Sequence, residues 1–219
     1  MIVESREPVL LIGAGDVNPR DLHNASAFCT SVVAADGGAN SAVAHGFLPD
    51  VVIGDMDSVS DATRSVLPAN VFHHVYEQDS TDFDKALRNI KAPLVVGLGF
   101  LGKRLDHELA AMSVLAKMAS TPCILIGQED IVLACPHDIT LELPVGTRLS
   151  LFPMAPISGK STGLRWPIDG ISFTPSGIIG TSNETTLNRV ELQFDQPGML
   201  LILPKSELTL LVSLWPEFF

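Results

Sequence analysis

Short apolar runs alternate with segments of helical period through roughly the first 136 residues of the chain. The runs are nearly uniform in apolar character, which is typical of strands buried on both faces, as in a parallel sheet covered by helices. The predicted strands are Val9–Ile12, Ser31–Ala35, Val51–Ile53, Val71–Tyr76, Leu94–Val96 and Cys123–Ile126. The alternation therefore predicts an α/β fold with a mostly parallel sheet.

Two of the predicted helices between these strands have clear local signals. Thr81 and Asp84 match a capping box at the start of one helix. The apolar face expected of that helix consists of Phe83, Leu87 and Ile90. A second amphipathic helix is predicted over His107–Ser120.

The pattern changes after Pro136, where apolar residues begin to alternate with polar ones. The alternating positions are Ile139, Leu141, Leu143, Leu149, Leu151, Val190, Leu192 and Phe194. Period two is typical of strands with one buried face, and no amphipathic helix is evident in this part. We therefore expect an α/β domain over residues 1–136 and an all-β sandwich over residues 137–219. The closing segment Pro204–Phe219 could add an edge strand or help a dimer.

Composition and charge narrow the class of protein. Hydrophobic residues make up 46% and charged residues 18% of the chain, which indicates a folded globular protein. The net charge of −11 disfavours a nucleic-acid partner, although a nucleotide could still bind through a metal ion.

The three cysteines, Cys29, Cys123 and Cys135, are far apart and are expected to be buried thiols. No signal peptide and no apolar run of about 18 residues is found, so we expect a cytoplasmic protein without a membrane anchor.

Acidic segments follow four of the predicted strands, and they carry most of the functional information. They are Asp36-Gly37-Gly38, Asp55-Met56-Asp57-Ser58, Asp79–Asp84 and Arg104–His107. Ligands of open parallel sheets bind outside the carboxyl ends of the strands, so these carboxylates are expected to converge. Carboxylates that lie so near one another repel each other unless a cation lies between them. The arrangement predicts a hard metal ion, most simply Mg²⁺.

Each acidic segment also has a purely structural interpretation. Asp55 and Asp57 would project to one side of an extended strand tail, but a plain turn explains them equally well. Acidic residues in a first helical turn are common, and Asp84 is better explained as part of the capping box, which leaves Asp82 as the possible ligand. The glycines after Asp36 fit a strand-to-helix turn.

A glycine-rich segment, Gly97–Gly102, matches the G-x-G-x-x-G pattern of dinucleotide-binding proteins. It supports the alternative of an NAD-binding oxidoreductase. The motif lies in the fifth strand-helix unit, however, and Lys103 and Arg104 follow it at once. A phosphate cradle with an arginine beside it is the better interpretation. His107 could act as a general base or as a capping residue, and the sequence leaves both open.

The ordered set of segments resembles the thiamine pyrophosphokinase (thiamine diphosphokinase) family. The matching segments are Ala35–Asn40, Ile53–Ser58, Gln78–Asp82, Gly102–His107, Gly163–Pro167 and Thr181–Asn183. They occur in family order and extend over nearly the whole chain. No single segment is specific, whereas the ordered set is.

The resemblance implies a reaction and a division of labour. The family moves the terminal pyrophosphoryl group of ATP to the hydroxyl of thiamine, which gives thiamine diphosphate and AMP. Residues 1–136 would form the catalytic domain that binds ATP and Mg²⁺, and residues 137–219 the thiamine-binding domain. The resemblance also implies a homodimer with active sites at the subunit interface.

The same resemblance implies individual residue roles. Asp55, Asp57 and Asp82 would bind Mg²⁺, with Asp36 nearby. Gln78 and Thr81 would contact the nucleotide or its phosphates, and Arg104 and Asp106 would belong to the phosphate side. Trp166, Ser182 and Asn183 would contact thiamine. Without the resemblance, Trp166 would pass for a core aromatic residue, and the acids alone would leave open a diphosphokinase for another alcohol, such as a hydroxymethylpterin.

Overall fold

The computed structural model describes residues 1–215 and divides into two compact units. The first unit comprises Met1–Val114 and Thr121–Gln128, and the second comprises Leu115–Ser120 and Glu129–Phe219. Parallel strands and helices make up the first unit, and antiparallel strands dominate the second. The predicted mixed α/β class is therefore confirmed.

The first unit is built on a parallel sheet. Its strands are β1 (Val3–Glu4), β2 (Val9–Ile12), β3 (Ser31–Ala35), β4 (Val51–Gly54), β5 (Phe72–His74), β6 (Ile90–Lys91), β7 (Val95–Leu98) and β8 (Cys123–Ile126). The helices between them are α1 (Pro19–Ser26), α2 (Gly38–Ala44), α3 (Asp61–Val66), α4 (Asp82–Leu87) and α5 (Leu105–Lys117). Strands pair in parallel in the order β8-β7-β2-β3-β4-β5, and β1 pairs with β6. Every residue of β2, β7 and β8 is buried, as the uniform apolar runs predict.

Helix α4 begins where the sequence pattern predicts but ends earlier than predicted. The Thr81 hydroxyl accepts a hydrogen bond from the Asp84 backbone N–H at 3.2 Å, so the predicted N-terminal cap is present. Phe83 and Leu87 are buried on its inner face. Ile90, which we predicted on the same face, instead lies in β6, because the helix ends at Leu87.

The strand order reverses between β7 and β2, which are sheet neighbours although distant in sequence. Such a reversal opens a crevice at the carboxyl ends of the strands, where open α/β sheets bind ligands. The loops at this edge begin with Gly13 after β2, Asp36 after β3, Asp55 after β4 and Gly99 after β7. The fold thus brings the predicted acidic and glycine-rich segments to one edge.

The second unit consists mainly of antiparallel strands. They are β9 (Asp130–Ala134), β10 (Asp138–Glu142), β11 (Arg148–Pro153), β12 (Ile157–Thr162), β13 (Ser172–Phe173), β14 (Gly180–Glu184), β15 (Arg189–Phe194) and β16 (Met199–Pro204). One sheet has the strand order β10-β15-β12-β13. The remaining strands pair antiparallel in the order β9-β16-β11-β14, called the other series below. Buried and exposed residues alternate along β15, which confirms the period of two.

The end of the second unit is helical and not an added edge strand. Helix α6 (Leu208–Leu214) follows a short 3₁₀ turn, Lys205–Glu207. Leu208, Leu211 and Trp215 are buried at a spacing of three and four, which is the period of a helix face. The prediction for Pro204–Phe219 also extends to residues 216–219, which lie outside the described residues. None of the helices within residues 1–215 has the length and apolar character needed to cross a membrane.

The cysteine thiols are predicted to be unreactive in the folded protein. All of them are free; Cys29 is partly buried, and Cys123 and Cys135 are buried. Desolvation raises the pKa of Cys29 to about 12 and raises the pKa of the other two as well. Because the thiolate is the reactive form, a disulfide reagent at about pH 8 should label the native protein slowly and the denatured protein fully. Rapid labelling of the native protein would contradict this expectation.

Candidate active site

A cluster of carboxylates lies at the carboxyl ends of β3 and β4. These strands are neighbours in the sheet, so Asp36 and Asp55 follow adjacent strand ends. One carboxylate oxygen from each of Asp36, Asp55 and Asp57 lies within 4.8 Å of the others. The structure therefore brings together two of the predicted metal ligands, Asp55 and Asp57, and adds Asp36, which we expected only nearby.

The backbone that carries these acids is not an extended strand tail. Met56, between Asp55 and Asp57, has a positive φ of 67°, and Asp36 has a φ of 43°. Our reason for expecting Asp55 and Asp57 on one side was therefore wrong, because a left-handed residue turns the chain between them. Arg64 holds this turn by donating hydrogen bonds to the carbonyl oxygens of Met56 and Val59. Such strained conformations often occur at functional sites.

Asp36 has the electrostatic features of an unsatisfied metal ligand. It is 1% exposed, and its Oδ1 has no hydrogen-bond partner within residues 1–215. Burial raises the pKa of Asp36, and the charges of Asp82 and Asp57 raise it further. Hydrogen bonds from Ser58 and Gly37 lower this pKa, but the net shift is upward. A divalent cation would satisfy the buried oxygen and offset the repulsion, so the residues fit a bound metal.

Lys85 links Asp55 to Asp82 and was not anticipated from the sequence. Its Nζ lies 3.2 Å from Asp55 Oδ2 and 3.3 Å from Asp82 Oδ1. The residue is 2% exposed. Burial alone would raise the pKa of Asp55, but hydrogen bonds from Lys85, the Asp57 N–H and Gln78 together hold that pKa below its usual value. Burial likewise opposes the charge of Lys85, but the two carboxylates raise the pKa of Lys85. A lysine three residues after Asp82 in a helix was the available signal.

Replacing Lys85 with methionine should destabilise the protein measurably. The change keeps most of the apolar stem of the side chain but leaves Asp55 and Asp82 without their shared cation. Because Asp82 is half exposed, we expect a loss of about 2 kcal/mol, less than for a fully buried pair. Urea unfolding with and without Mg²⁺ checks this, and Mg²⁺ should recover part of the loss. Lys91→Met, which breaks an exposed pair with Glu4, is the control and should change stability little. Equal stability of the two variants would contradict the expectation.

A pocket of about 280 Å³ opens beside the acids at the sheet edge. Its lining includes acidic, basic and aromatic groups, among them Asp36, Asp82, Lys103, Arg104, His107 and Phe100. The Phe83 and Phe100 rings contact each other with centroids 4.6 Å apart. The pocket lining thus combines carboxylates, suited to a metal ion and called its acidic side below, with Lys103 and Arg104, suited to phosphate and called its basic side.

The glycine-rich segment serves close backbone packing in this pocket. The Gly15 N–H donates to the Gly99 carbonyl oxygen at 2.7 Å. Gly99 has a φ of 77°, and a Cβ there would lie 2.5 Å from the Gly13 carbonyl oxygen. Gly99, the middle glycine of the G-x-G-x-x-G pattern, therefore allows the loops after β2 and β7 to touch, so a packing role accounts for this glycine without a dinucleotide.

Arg104 and Asp106 form a two-point ion pair at the basic side. Arg104 Nε and Nη2 donate to the Asp106 carboxylate at 3.1 Å and 2.6 Å. The hydrogen bond from Arg104 lowers the pKa of Asp106, and the same contact raises the pKa of Arg104. Lys103 Nζ donates to the Ala14 carbonyl oxygen at 3.4 Å. Arg104 lines the pocket, whereas Asp106 orients its guanidinium.

Gln78 and Thr81 lie close to the acids but already have protein partners. Gln78 Nε2 donates to Asp55 Oδ2 at 3.3 Å. Thr81 lines the pocket while its hydroxyl caps α4. Both residues therefore support the neighbouring carboxylates and the helix, besides any contact with a nucleotide.

Of the predicted residues in the second unit, Asn183 contacts Trp166 directly. Trp166 is 55% exposed, so the alternative that it is a core aromatic residue is wrong. The Asn183 carboxamide accepts a hydrogen bond from the backbone N–H of Trp166 at 3.2 Å and donates one to the backbone carbonyl oxygen of Trp166 at 2.7 Å. Ser182 has a φ of 59°, and its N–H donates to the Ser150 hydroxyl at 2.9 Å. Trp166 and Ser182 are exposed and therefore open to a ligand, whereas Asn183 is buried.

Phosphoryl-type transfer needs positioning and charge stabilisation, and a glycine-lined pocket that also carries carboxylates and basic side chains has the groups for it. Two family models match the chain: the thiamin pyrophosphokinase catalytic domain over residues 22–126 and the thiamin pyrophosphokinase vitamin B1 binding domain over residues 136–199. The chain belongs to the thiamine pyrophosphokinase family, which confirms the resemblance.

Individual relatives agree with this assignment. Thiamine pyrophosphokinase 1 of Oryza sativa subsp. japonica is 30% identical over 197 residues, which cover 74% of this chain and 75% of the relative. Thiamine pyrophosphokinase of Bacillus subtilis (strain 168) is 26% identical over 182 residues, which cover 78% and 85%. The solved structure of thiamin pyrophosphokinase from Candida albicans matches with a TM-score of 0.75 at 17% identity, over 93% of each chain. At this identity the match supports the fold alone.

Proposed function

We infer that this chain transfers the pyrophosphoryl group of ATP to the hydroxyl of thiamine, giving thiamine diphosphate and AMP. The observation that carries this function is the match of both family regions in order along the chain. The pocket beside the acidic cluster supplies a site with the chemistry the reaction needs. In the transfer, the thiamine hydroxyl loses its proton and its oxygen bonds to the β-phosphorus. The bond from that phosphorus to the oxygen shared with the α-phosphorus breaks, and AMP leaves with that oxygen.

We propose that Mg²⁺ is held by Asp36, Asp55 and Asp57, with Asp82 as a further ligand. The unsatisfied Asp36 oxygen and the convergence of three carboxylates support this set. Asp82 is retained because it lines the same pocket and its charge acts on Asp36. When bound, the metal ion would neutralise polyphosphate charge at this edge. Lys85 holds Asp55 and Asp82 in place for that role.

The basic side of the pocket is proposed to bind the phosphates of ATP. The Arg104 guanidinium can hold a phosphate in two-point fashion, as it now holds the Asp106 carboxylate. Lys103 adds a second positive charge next to the Gly13–Gly15 loop, whose backbone approaches closely because it has little side-chain bulk. Gln78 and Thr81 are proposed to contact the nucleotide from the acidic side.

The thiamine half of the reaction is proposed to depend on Trp166, Ser182 and Asn183. The thiazolium of thiamine is a permanent cation, and an exposed indole face attracts a cation by about 0.5 to 2 kcal/mol. We propose that residues 1–136 bind ATP and metal and that residues 137–219 bind thiamine. The two family regions, the first of which ends at residue 126 and the second of which begins at residue 136, support this division.

We also propose that the antiparallel strands of the second unit form a sandwich. The alternating burial of β15 gives its sheet one apolar face. The other series contributes a face that includes Gly180, where a Cβ would lie 3.4 Å from the Phe173 ring of β13. Sheets that bury one face against each other are the usual solution for such strands.

The assembly is proposed to be a cytoplasmic homodimer with its active sites at the subunit interface. Free thiols are typical of proteins in a reducing compartment, which supports the location. Exposed apolar side chains such as Leu105 and Leu109, one turn apart on α5, support an interface. Light scattering of the purified protein tests the dimer.

The reaction is tested directly with purified protein, ATP, Mg²⁺ and thiamine. We expect AMP and thiamine diphosphate in equal amounts, and no AMP when thiamine is omitted. Formation of ADP in place of AMP would overturn the proposed reaction. A hydroxymethylpterin tested in place of thiamine separates the two diphosphokinase functions, and thiamine should be the strongly preferred substrate.

A further inference from the structure

The segment that carries Trp166 is joined to β14 by backbone hydrogen bonds. The Arg165 N–H donates to the Glu184 carbonyl oxygen at 2.8 Å, and the Thr186 N–H donates to the Gly163 carbonyl oxygen at 2.8 Å. An isolated bridge between Leu164 and Thr185 completes the pairing. The chain just before Trp166 therefore has a defined path along the end of β14.

Asn183 extends this pairing with its side chain. Its Oδ1 accepts hydrogen bonds from the Trp166 N–H at 3.2 Å and from the Glu184 N–H at 2.8 Å. Its Nδ2 donates to the Trp166 carbonyl oxygen at 2.7 Å. Because a carboxamide offers two donors and two acceptor lone pairs, these bonds use most of its capacity. Asn183 is 7% exposed, so little of the side chain is left to meet a ligand.

Trp166 needs such external support. Its indole is largely exposed, so core packing cannot fix the orientation of the ring. The Arg165 guanidinium lies 5.2 Å from the ring centroid, and the same guanidinium is 3.5 Å from the Glu184 carboxylate. The direction in which the Trp166 side chain leaves the backbone thus depends on Asn183, which holds the backbone N–H and carbonyl oxygen of Trp166, while Arg165 contacts the ring itself.

We propose that Asn183 is a positioning residue that acts on thiamine through Trp166 and does not contact the substrate itself. The inference rests on the proposed thiamine function of the second unit, and it changes the role that the family resemblance implies for Asn183. The fixed backbone sets the direction in which the indole leaves the chain, so less motion of the ring has to be lost when the cation binds.

A double-mutant cycle separates positioning from direct contact. Asn183→Ala should raise the KM for thiamine roughly 10-fold, because the two hydrogen bonds that hold the backbone of Trp166 are lost. The KM for ATP should stay unchanged, which also shows that the variant is folded. In a Trp166→Ala background, Asn183→Ala should have almost no further effect on thiamine. Effects that multiply in the double variant would show direct contact and overturn the proposal.

A fluorescence measurement tests the positioning without any turnover. The chain contains two tryptophans, so subtracting the spectrum of Trp166→Phe from that of the unchanged protein isolates Trp166. The same subtraction in the Asn183→Ala background should show lower anisotropy of Trp166. If the anisotropy is unchanged, the proposal fails. A failure of the proposed function would instead leave this result intact while no thiamine-dependent AMP forms.

Two further variants keep the test decisive. Asn183→Asp keeps the acceptor oxygen for the Trp166 N–H but removes the donor to its carbonyl oxygen, so its effects should lie in the same direction. This variant replaces Asn183→Ala should the latter not fold. Asn188→Ala makes the same change at an exposed position before β15 and should alter neither thiamine KM nor anisotropy.

Discussion

Asp57→Asn should reduce pyrophosphoryl transfer by about 100-fold or more while the protein stays folded. The side chain keeps its size but loses its charge and one of its ligand oxygens, and Asp57 belongs to the cluster with Asp36 and Asp55. It is exposed, so the core is not affected. Steady-state kinetics at saturating ATP and thiamine, over a range of Mg²⁺ concentrations, measure the loss.

The metal-free stability of the same variant should not fall and is expected to rise slightly. The charge of Asp57 contributes to the raised pKa of Asp36, so removing it relieves repulsion around a buried carboxyl group. Without Mg²⁺, thermal unfolding should therefore show a slightly higher Tm for the variant than for the unchanged protein. Adding Mg²⁺ should raise the Tm of the variant by less than it raises the Tm of the unchanged protein.

Asp61→Asn is the matched control for this change. Asp61 is an exposed acid in the first turn of α3, close to Asp57 in sequence but outside the carboxylate cluster. It should retain most activity and the full response of Tm to Mg²⁺. If Asp57→Asn behaves like Asp61→Asn at saturating Mg²⁺, Asp57 is not a principal metal ligand.

The sheet edge was predictable because its signals are local. Uniform apolar runs predicted the strands Val9–Ile12, Ser31–Ala35 and Cys123–Ile126 with the bounds that the structure has. Acids directly after the strands then had to meet at the carboxyl edge, whatever the details of the loops. The meeting of Asp36 with Asp55 follows from the adjacency of β3 and β4.

The supporting contacts were not predictable because they join residues distant in sequence. Lys85 reaches Asp55 thirty positions earlier, and Asn183 holds the backbone of Trp166 seventeen positions earlier. Neither contact produces a periodic pattern. A turn between Asp55 and Asp57 was one of the two interpretations of the sequence, but the left-handed conformation of Met56 was not predictable. A positive φ at a non-glycine residue depends on neighbours such as Arg64 and not on the residue itself.

The close approach of loops at the sheet edge predicts a large effect at Gly38. A Cβ at this first residue of α2 would lie 2.0 Å from the Ile12 carbonyl oxygen and 2.9 Å from Gly13 Cα. Both are backbone atoms at the end of a central strand, so no side-chain movement can relieve the clash. Gly38→Ala should therefore lower the free energy of unfolding by more than about 3 kcal/mol.

The same substitution should also disturb the carboxylate cluster, since Asp36 is two residues before Gly38. Urea unfolding measures the loss of stability, and the Tm shift with Mg²⁺ reports the cluster in whatever fraction folds. Gly46→Ala, just after the same helix, is the control: a Cβ there meets nothing within 4 Å, but φ is 81°. It should cost only about 1 kcal/mol of conformational strain. Equal losses in the two variants would mean that backbone conformation, and not contact with β2, makes glycine necessary at position 38.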